Sequence, residues 1–578
     1  MKMVLFRLFT LLILSFSTWS FTQDFERIAP KEIPHDAEAG RVIPPPIEKR
    51  EEEGSTLITP KLTGLLLVSS PDDIQQEGRT DVEGVQFFHL DVPGHPEILQ
   101  DELTHQAIGK PLTIDDLSKI KSTISTYYRN NNRPVVTVLA LEQKVHHGTL
   151  QLVVLESHVG DVSFSGNYWF RTNLLKKYTN YKKGDPIDSV QLSRDLKFMN
   201  RNPFRLTNAV LRPGQEVGTT DIEFKTKDRF PFRFYVGGDN TGIDSTGSGR
   251  LFVGFNWGDA LLQDQQLSYQ FTKSTDFGRF FVHTADWKIP FPWKHLLNFF
   301  GGYSKIHPKM PFQGMRNTGE SYQISGRYII PLPSSRFYLH EVAAGADYKR
   351  TNINLIFSDL TLIGNAAVIA QVALGYEGKY KRKPVTVDFE GYCFISPGDI
   401  FPNQNDSSYE RLRPDAQSTY AYIRTRLVPL IDVFYGTLAI DTRLQLASSN
   451  LLSSEQFGLG GFSTVRGYDE RDLNTDNAFM LSVEWRTPSF QLFHPHKFKR
   501  LTDDLKLHLF VDYGVGWNHK RTAPEINTYL LSVGPGLRYV ISPYLTCRFD
   551  WGIKLHKLPS ILRDTSFSKV HFSVIGSF

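Results

Sequence analysis

Residues 505–517 read Leu505-Lys506-Leu507-His508-Leu509-Phe510-Val511-Asp512-Tyr513-Gly514-Val515-Gly516-Trp517. Every odd position is apolar or aromatic, while the even positions carry Lys506, His508, Phe510, Asp512 and two glycines. A β-strand sends alternate side chains to opposite faces, so this stretch predicts a strand with one face suited to lipid and one suited to a wet interior. Tyr513 and Trp517 stand at one end of the apolar face, as an interfacial aromatic girdle requires. The pattern repeats. Phe479, Leu481, Val483 and Trp485 oppose Ser482, Glu484 and Arg486; Leu438, Ile440, Thr442, Leu444 and Leu446 oppose Asp441, Arg443 and Gln445. From Phe232 onward, about sixteen such segments follow at roughly 22 residues per strand plus connection, the signature of a transmembrane β-barrel. A soluble β-sandwich would hide its apolar face inside and keep its exterior polar. So many consecutive strands behind a secretory leader favour the membrane.

That leader occupies residues 1–22. Lys2 and Arg7 supply the positive end, residues 4–16 the apolar run, and the small residues around Ser17 to Ser20 candidate cleavage points. The run is shorter than the roughly 20 residues that a spanning helix needs, and no later stretch reaches that length. A chain of this kind can enter a bilayer only as a closed barrel, which satisfies every backbone group between strands. Aromatics make up 13% of the 578 residues and glycine contributes 43, a mixture that suits strands and turns. The net charge of +4 argues neither for nor against a polyanionic partner, and no nucleic acid is expected. The two cysteines rule out a disulfide scaffold. Alternation places Cys393 and Cys547 on the lipid side of different strands, so they are read as small wall residues.

Between leader and barrel the texture is different. Residues 23–80 are Pro-rich and charged, with Pro44-Pro45-Pro46 followed by the run 48–53, and read as a linker with a short helix near 62–68, a candidate plug. Two units of similar layout follow, at 81–157 and 158–229. In the first, a strand at 85–88 precedes helices at 97–108 and 114–128 and strands at 135–141 and 149–155. In the second, a strand at 162–167 precedes helices at 172–179 and 189–200 and strands at 207–211 and 220–225. The expected fold is therefore mainly β: two small α+β domains, then a 16-stranded antiparallel barrel over 230–578. Its last strand puts Val570, Phe572, Val574, Gly576 and Phe578 on one face, ending inside the wall.

These residues resemble a known family. Leader, linker, two small domains and barrel, in that order, look like the two-partner secretion transporters, the hemolysin secretion/activation (ShlB/FhaC/HecB) proteins, within the superfamily of barrels bearing POTRA domains. Leu141-Glu142-Gln143-Lys144-Val145 with Gly148 resembles the family's proline-glutamine motif, with Glu142 where proline is usual. Leu211-Arg212-Pro213-Gly214 and Gly218-Thr219-Thr220-Asp221 are similar to the end of its second POTRA domain. Gly460-Gly461-Phe462-Ser463-Thr464-Val465-Arg466-Gly467-Tyr468 resembles the Val-Arg-Gly-Tyr signature of the sixth extracellular loop, which folds back into the barrel. Phe510 to Gly514 resembles the strand motif whose acid pairs with that arginine. The strand count agrees, because the connection between the eleventh and twelfth strands, about 447–477, is the longest loop and carries Arg466.

One constellation stands out: Val465, Arg466, Gly467 and Tyr468 in the loop, with Asp512 and Glu484 pointing into the lumen. A guanidinium pairs with carboxylates through two parallel hydrogen bonds, so the set can lock the loop in place, as a rivet or as a switch. Glu484 has rival partners in Arg486 and Arg443. The resemblance also implies that Phe572 and Phe578 serve as a barrel-assembly signal, read by the barrel-assembly machinery. It further implies periplasmic N-terminal domains that engage an unfolded client by strand addition, and a secreted partner exoprotein of the adhesin or cytolysin class. The runner-up reading is a factor that inserts other barrels, although such relatives carry more POTRA domains; a diffusion porin needs no two-domain arm. Enzyme chemistry finds no support, since the sequence has neither a P-loop nor a Gly-x-Ser-x-Gly elbow. His146-His147 and His494-Pro495-His496 lack companion metal ligands. No cofactor or metal is expected.

Overall fold

The computed structural model describes residues 25–33, 40–43, 56–145, 147–216, 218–309, 315–335, 337–357, 360–492, 502–521, 525, 527–558 and 566–578. The expected leader, the Pro44–Pro46 and 48–53 runs, His146 and the His494–His496 stretch lie outside them. The chain forms two compact units, one of residues 35–230 and one of residues 231–578 together with 1–34.

The second unit is a closed barrel of sixteen antiparallel strands, each hydrogen-bonded to its neighbours in chain order. They are β1 (Phe232–Asp239), β2 (Arg250–Ala260), β3 (Gln265–Ser274), β4 (Phe280–Pro290), β5 (Leu296–Ile306), β6 (Met315–Pro331), β7 (Tyr338–Phe357) and β8 (Leu360–Arg382). Then come β9 (Val385–Pro397), β10 (Thr419–Val433), β11 (Gly436–Ala447), β12 (Asn477–Arg486), β13 (Thr502–Trp517), β14 (Thr528–Ser542), β15 (Leu545–Lys554) and β16 (Ser568–Ser577). The alternation read in residues 505–517 holds: Leu507, Leu509 and Val511 are exposed on the outside, while His508, Phe510 and Asp512 are buried on the inside. An outer face that is apolar and exposed is the inverse of a soluble protein's, and lipid is its solvent. Strands β6, β7 and β8 run to 17, 20 and 23 residues, well beyond the roughly 9–11 that cross a bilayer.

Closure is made by β1 and β16 over five pairs, from Tyr235↔Ser577 to Asp239↔Ser573. Phe578 extends the seam, its N–H donating to the Phe234 carbonyl at 2.8 Å and its carbonyl accepting from Phe234 at 3.1 Å. Phe572 and Phe578 both face outward, 44% and 77% exposed. Cys393 and Cys547 are free, on β9 and β15.

The first unit holds two small sheets backed by helices. In the second domain, Arg205–Pro213, Thr219–Asp228 and His158–Ser165 pair in that order, and Val42–Ile43 adds a short parallel strand beside Arg205–Pro213. Asp188 caps the helix Ser189–Met199 by accepting from the Val190 N–H at 2.7 Å, and Leu192, Leu196 and Met199 face the sheet. In the first domain the sheet order is Gly84–Phe88, Gly64–Val68, Thr149–Glu156, Val136–Leu139. The helices Pro96–Ala107 and Ile114–Asn130 pack Leu99, Leu103, Ile120, Ile124 and Tyr128 against Leu65 and Leu67. Thr113 and Asp116 form a reciprocal capping box at the second helix.

The structure corrects one expectation here. Residues 64–68 are not a linker helix but an inner strand of the first domain's sheet, parallel to both neighbours. Leu65 and Leu67 face the helices, while Leu66 and Val68 pack with Val82 and Val153 on the other side. A strand buried on both faces has no alternation to betray it, so a five-residue apolar run reads as well for helix as for strand. The strand at 84–88 is the sheet's edge, not its beginning. The only helix described upstream of the first domain is Phe25–Ile28, which belongs to the barrel unit.

Candidate functional site

The connection between β11 and β12, residues 448–476, turns into the barrel because its own sequence makes a small core there. Phe457–Leu459 and Leu473–Thr475 pair as a hairpin. Leu459, Val465, Tyr468 and Leu473 then pack with Met480 of β12, Leu530 of β14 and Leu558. The wall is carved to receive them. At Gly514, on the inner face of β13, a Cβ would come within 2.8 Å of Leu459 Cδ2 and 2.9 Å of Val465 Cγ2.

This packing delivers Arg466 to the carboxylates. Its Nε donates to Asp512 Oδ2 and its Nη2 to Asp512 Oδ1, both at 2.7 Å, and its backbone N–H adds a third bond to Oδ2 at 3.0 Å. Nη1 reaches Glu484 Oε1 at 2.5 Å and Asp550 Oδ1 at 3.4 Å, and Nη2 also donates to Ser482 Oγ at 3.1 Å. Below the fork lies the Phe510 ring, 3.5 Å from Cζ to centroid. The Arg466 side chain is 3% exposed and that of Asp512 0%. A planar fork matched by a carboxylate on its edge and a ring on its face is the geometry that lysine cannot supply.

The two residues after Arg466 complete the fit. Gly467 has φ +92°, and a Cβ on it would lie 2.9 Å from the Gly552 carbonyl carbon of β15; a Cβ on Gly552 would lie 2.3 Å from the Gly467 nitrogen. Backbone meets backbone there, which only paired glycines permit. The Gly467 N–H donates to His571 Nε2 at 3.0 Å. The Tyr468 hydroxyl donates towards the carbonyls of Leu531, at 3.1 Å, and His556, at 2.5 Å, and accepts from the Leu531 N–H at 3.2 Å. The predicted set Val465, Arg466, Gly467, Tyr468, Glu484 and Asp512 is thus gathered at one place. Glu484 faces three cations, taking Arg486 Nε on its second oxygen at 2.9 Å, with Arg538 Nη2 3.8 Å from its first. Arg443 turns instead to Asp441. Phe572 and Phe578 lie apart, in the closing seam.

Several participants escaped the sequence reading. Asp550 on β15 accepts from Arg548 Nε at 2.7 Å and Arg538 Nη1 at 3.0 Å, and bonds His508 Nε2 at 2.6 Å. With Arg466, Arg486, Arg538 and Arg548 against Asp512, Glu484 and Asp550, the charges nearly balance. Alternation alone turns His508, Arg548 and Asp550 inward; that His508 meets Asp550 follows from register, which sets both opposite Gly536, with no side chain between them. The base of the loop is tied elsewhere. Lys349 of β7 bonds both oxygens of Glu455, at 2.8 and 3.0 Å, and the Tyr422 hydroxyl of β10 donates to Glu455 at 2.8 Å. Arg413, from the β9–β10 connection, grips Asp476 at 2.6 and 3.0 Å. The loop therefore joins two stretches of wall, β7–β10 and β12–β15, on either side of its own strand β11.

The N-terminal segment lines another part of the same interior. Ile28 packs on Phe280 and Val282 of β4 and Ile306 of β5, and Phe25 lies 4.9 Å from Phe300 of β5. Thr284 donates to the Ile28 carbonyl at 2.9 Å, the Lys31 N–H donates to the Tyr235 hydroxyl at 3.0 Å, and Lys288 bonds Glu32 at 3.0 Å. Phe25, Ile28, Lys349 and Ser454 line one cavity, so helix and loop approach each other inside the barrel.

Known proteins share this plan. The family model described as haemolysin secretion/activation protein ShlB/FhaC/HecB matches residues 218–539, and that for the ShlB-type POTRA domain matches 89–157. The heme/hemopexin transporter protein HuxB of Haemophilus influenzae (strain 86-028NP) is 24% identical over 479 residues, covering 77% of this chain and 78% of HuxB. The outer membrane transporter CdiB of Dickeya dadantii (strain 3937) is 20% identical over 469 residues, 76% of each chain. The solved CdiB from Escherichia coli, 17% identical, superposes with a TM-score of 0.70 over 94% of this chain and 95% of that one; the likeness is one of fold. With more than half its length matched by the family model, the chain belongs to the haemolysin secretion/activation protein family ShlB/FhaC/HecB.

Proposed function

We propose that this outer-membrane transporter of a partner exoprotein works as a gated pore. The two small periplasmic domains capture the partner unfolded, the client threads the lumen, and the loop carrying Arg466 acts as the lock that must be in register for passage. The observation that carries this reading is the content of the barrel. A closed 16-stranded wall encloses two pieces of its own chain, the helix Phe25–Ile28 and the loop 448–476, both held largely by side-chain contacts. Side-chain locks can open without unravelling any strand of the wall. The sequence holds no nucleotide-binding motif, so folding of the client outside supplies the direction of travel.

The cargo is proposed to be an adhesin or cytolysin. One relative is named for heme/hemopexin transport and another is an outer membrane transporter; the shared barrel leaves cargo choice to the capture surface, where a sheet edge can accept a client strand. Phe572 and Phe578 serve the barrel's own assembly, as the terminal signal read by the assembly machinery. The test is a comparison of the medium of cells with and without the transporter. A large secreted protein should vanish from the medium when the transporter is deleted and return with the wild-type chain. An unchanged medium would reject the reading.

A further inference from the structure

On the second small domain, the turn 167–171 lifts two aromatic side chains clear of the protein. Asp228 accepts hydrogen bonds from three successive backbone amides, those of Tyr168 at 3.1 Å, Trp169 at 2.7 Å and Phe170 at 3.1 Å. Asn167 Nδ2 fastens the turn from the other side, donating to the Phe170 carbonyl at 2.8 Å and to the Thr172 hydroxyl at 3.0 Å. Phe170 points inward beneath the Arg205 guanidinium, 4.6 Å away. Its two predecessors point outward, Tyr168 82% exposed and Trp169 42%. The Trp169 ring stands edge-on to Tyr168 and to Phe230, 5.0 Å from each, and Phe230 is 57% exposed. Arg171 and Arg229, both exposed, adjoin these rings in sequence.

A turn fastened this firmly is built to present what it carries. Three aromatic rings held out into water cost stability unless a second phase covers them. Tyr and Trp beside arginine form the composition that settles at a lipid–water boundary, with rings among the glycerol backbones and cations on anionic headgroups. The chain itself puts the patch within reach of that boundary. Phe230 is followed, after Pro231, by Phe232, the first residue of β1. Two residues of chain span at most about 7 Å.

We propose that Tyr168, Trp169 and Phe230, flanked by Arg171 and Arg229, dock on the phospholipid surface of the periplasmic leaflet and anchor the second small domain to the membrane. The test uses the full-length protein with Cys393→Ala and Cys547→Ala, reconstituted in vesicles of phosphatidylethanolamine and phosphatidylglycerol. A polarity-sensitive nitrobenzoxadiazole probe is placed at Tyr168→Cys. A control probe goes at Glu216→Cys, an exposed turn at the other end of the strand that ends in Asp228. With nitroxide-labelled phospholipid in the bilayer, the probe at 168 should emit to the blue of the control and be quenched at least about twofold more. Equal emission and quenching at the two sites would overturn the proposal. A blue shift without lipid quenching would overturn it too, since the patch would then be packed on protein. In a second pair, a probe at Arg171→Cys should lose its excess quenching when Trp169→Ser is added, with barrel folding checked by heat-modifiable migration. Undiminished quenching there would also count against it.

Discussion

Arg466 sits 2.7 Å from both oxygens of Asp512 and within reach of two further carboxylates, with almost no water to share the charge. Removing Arg466 leaves the enclosed Asp512 uncompensated, at a cost on the order of 3–5 kcal/mol to the docked loop, and removing Asp512 takes three hydrogen bonds from Arg466, its backbone N–H included. Arg466→Ala should therefore lower export about tenfold or more while the barrel reaches the outer membrane in normal amount, and Asp512→Ala should do much the same. The double variant should match Arg466→Ala, because both changes remove one interaction. Arg466→Lys should rescue only in part, since an ammonium can meet neither both Asp512 oxygens nor the Phe510 face. Secreted client measured against barrel level checks all four; additive losses would show that the residues act separately. The pairing was legible because alternation turned Asp512 inward and the resemblance of residues 460–468 to the family's loop signature brought Arg466 back into the barrel. Asp550 was not, because its meeting with His508 depends on the register that sets both opposite Gly536, and no spacing along the chain gives that register.

At the scale of elements, the parts that alternate were legible and the parts buried on both sides were not. The sixteen wall strands announce themselves by period two, down to the connection that carries Arg466. The strand Gly64–Val68, with Leu65, Leu66, Leu67 and Val68 all buried, has no polar face to mark its period. The helix Phe25–Ile28 is too short for any periodicity. It nevertheless makes a testable element: Phe25→Ala with Ile28→Ala removes its grip on Phe300, Phe280 and Val282. Single-channel conductance in planar bilayers should rise, with folded yield unchanged; an unaltered conductance would mean that the segment does not obstruct the lumen. The last strand is an element of a different kind. Deleting Phe578 removes two seam hydrogen bonds from a junction of only five pairs, so the heat-modifiable, folded fraction should fall. Normal folded yield would contradict the assembly role given to it.

At the scale of the whole molecule, labour is proposed to divide between a wall that folds by itself and a periplasmic arm that supplies clients. The two compact units support that division. Because the first domain's sheet begins upstream of its edge strand, a clean deletion must start at residue 56 and not beyond 80. Deleting 56–228 should leave a barrel that inserts and shows heat-modifiable migration but exports nothing. Export at normal level after that deletion would take the capture role away from the domains.

Passage of the partner through the barrel interior is the central claim, and neighbouring residues on β5 test it. Phe300 faces inward against Phe25, while Phe299 faces the lipid, 41% exposed. A photo-crosslinking phenylalanine is placed at either position, in cells whose secreted partner is stalled in transit by a tightly folded C-terminal fusion. Illumination should join transporter to partner from position 300 and not from position 299. Adducts from 299 alone, or none from 300 while stalled partner is present, would show that the client does not travel through the lumen.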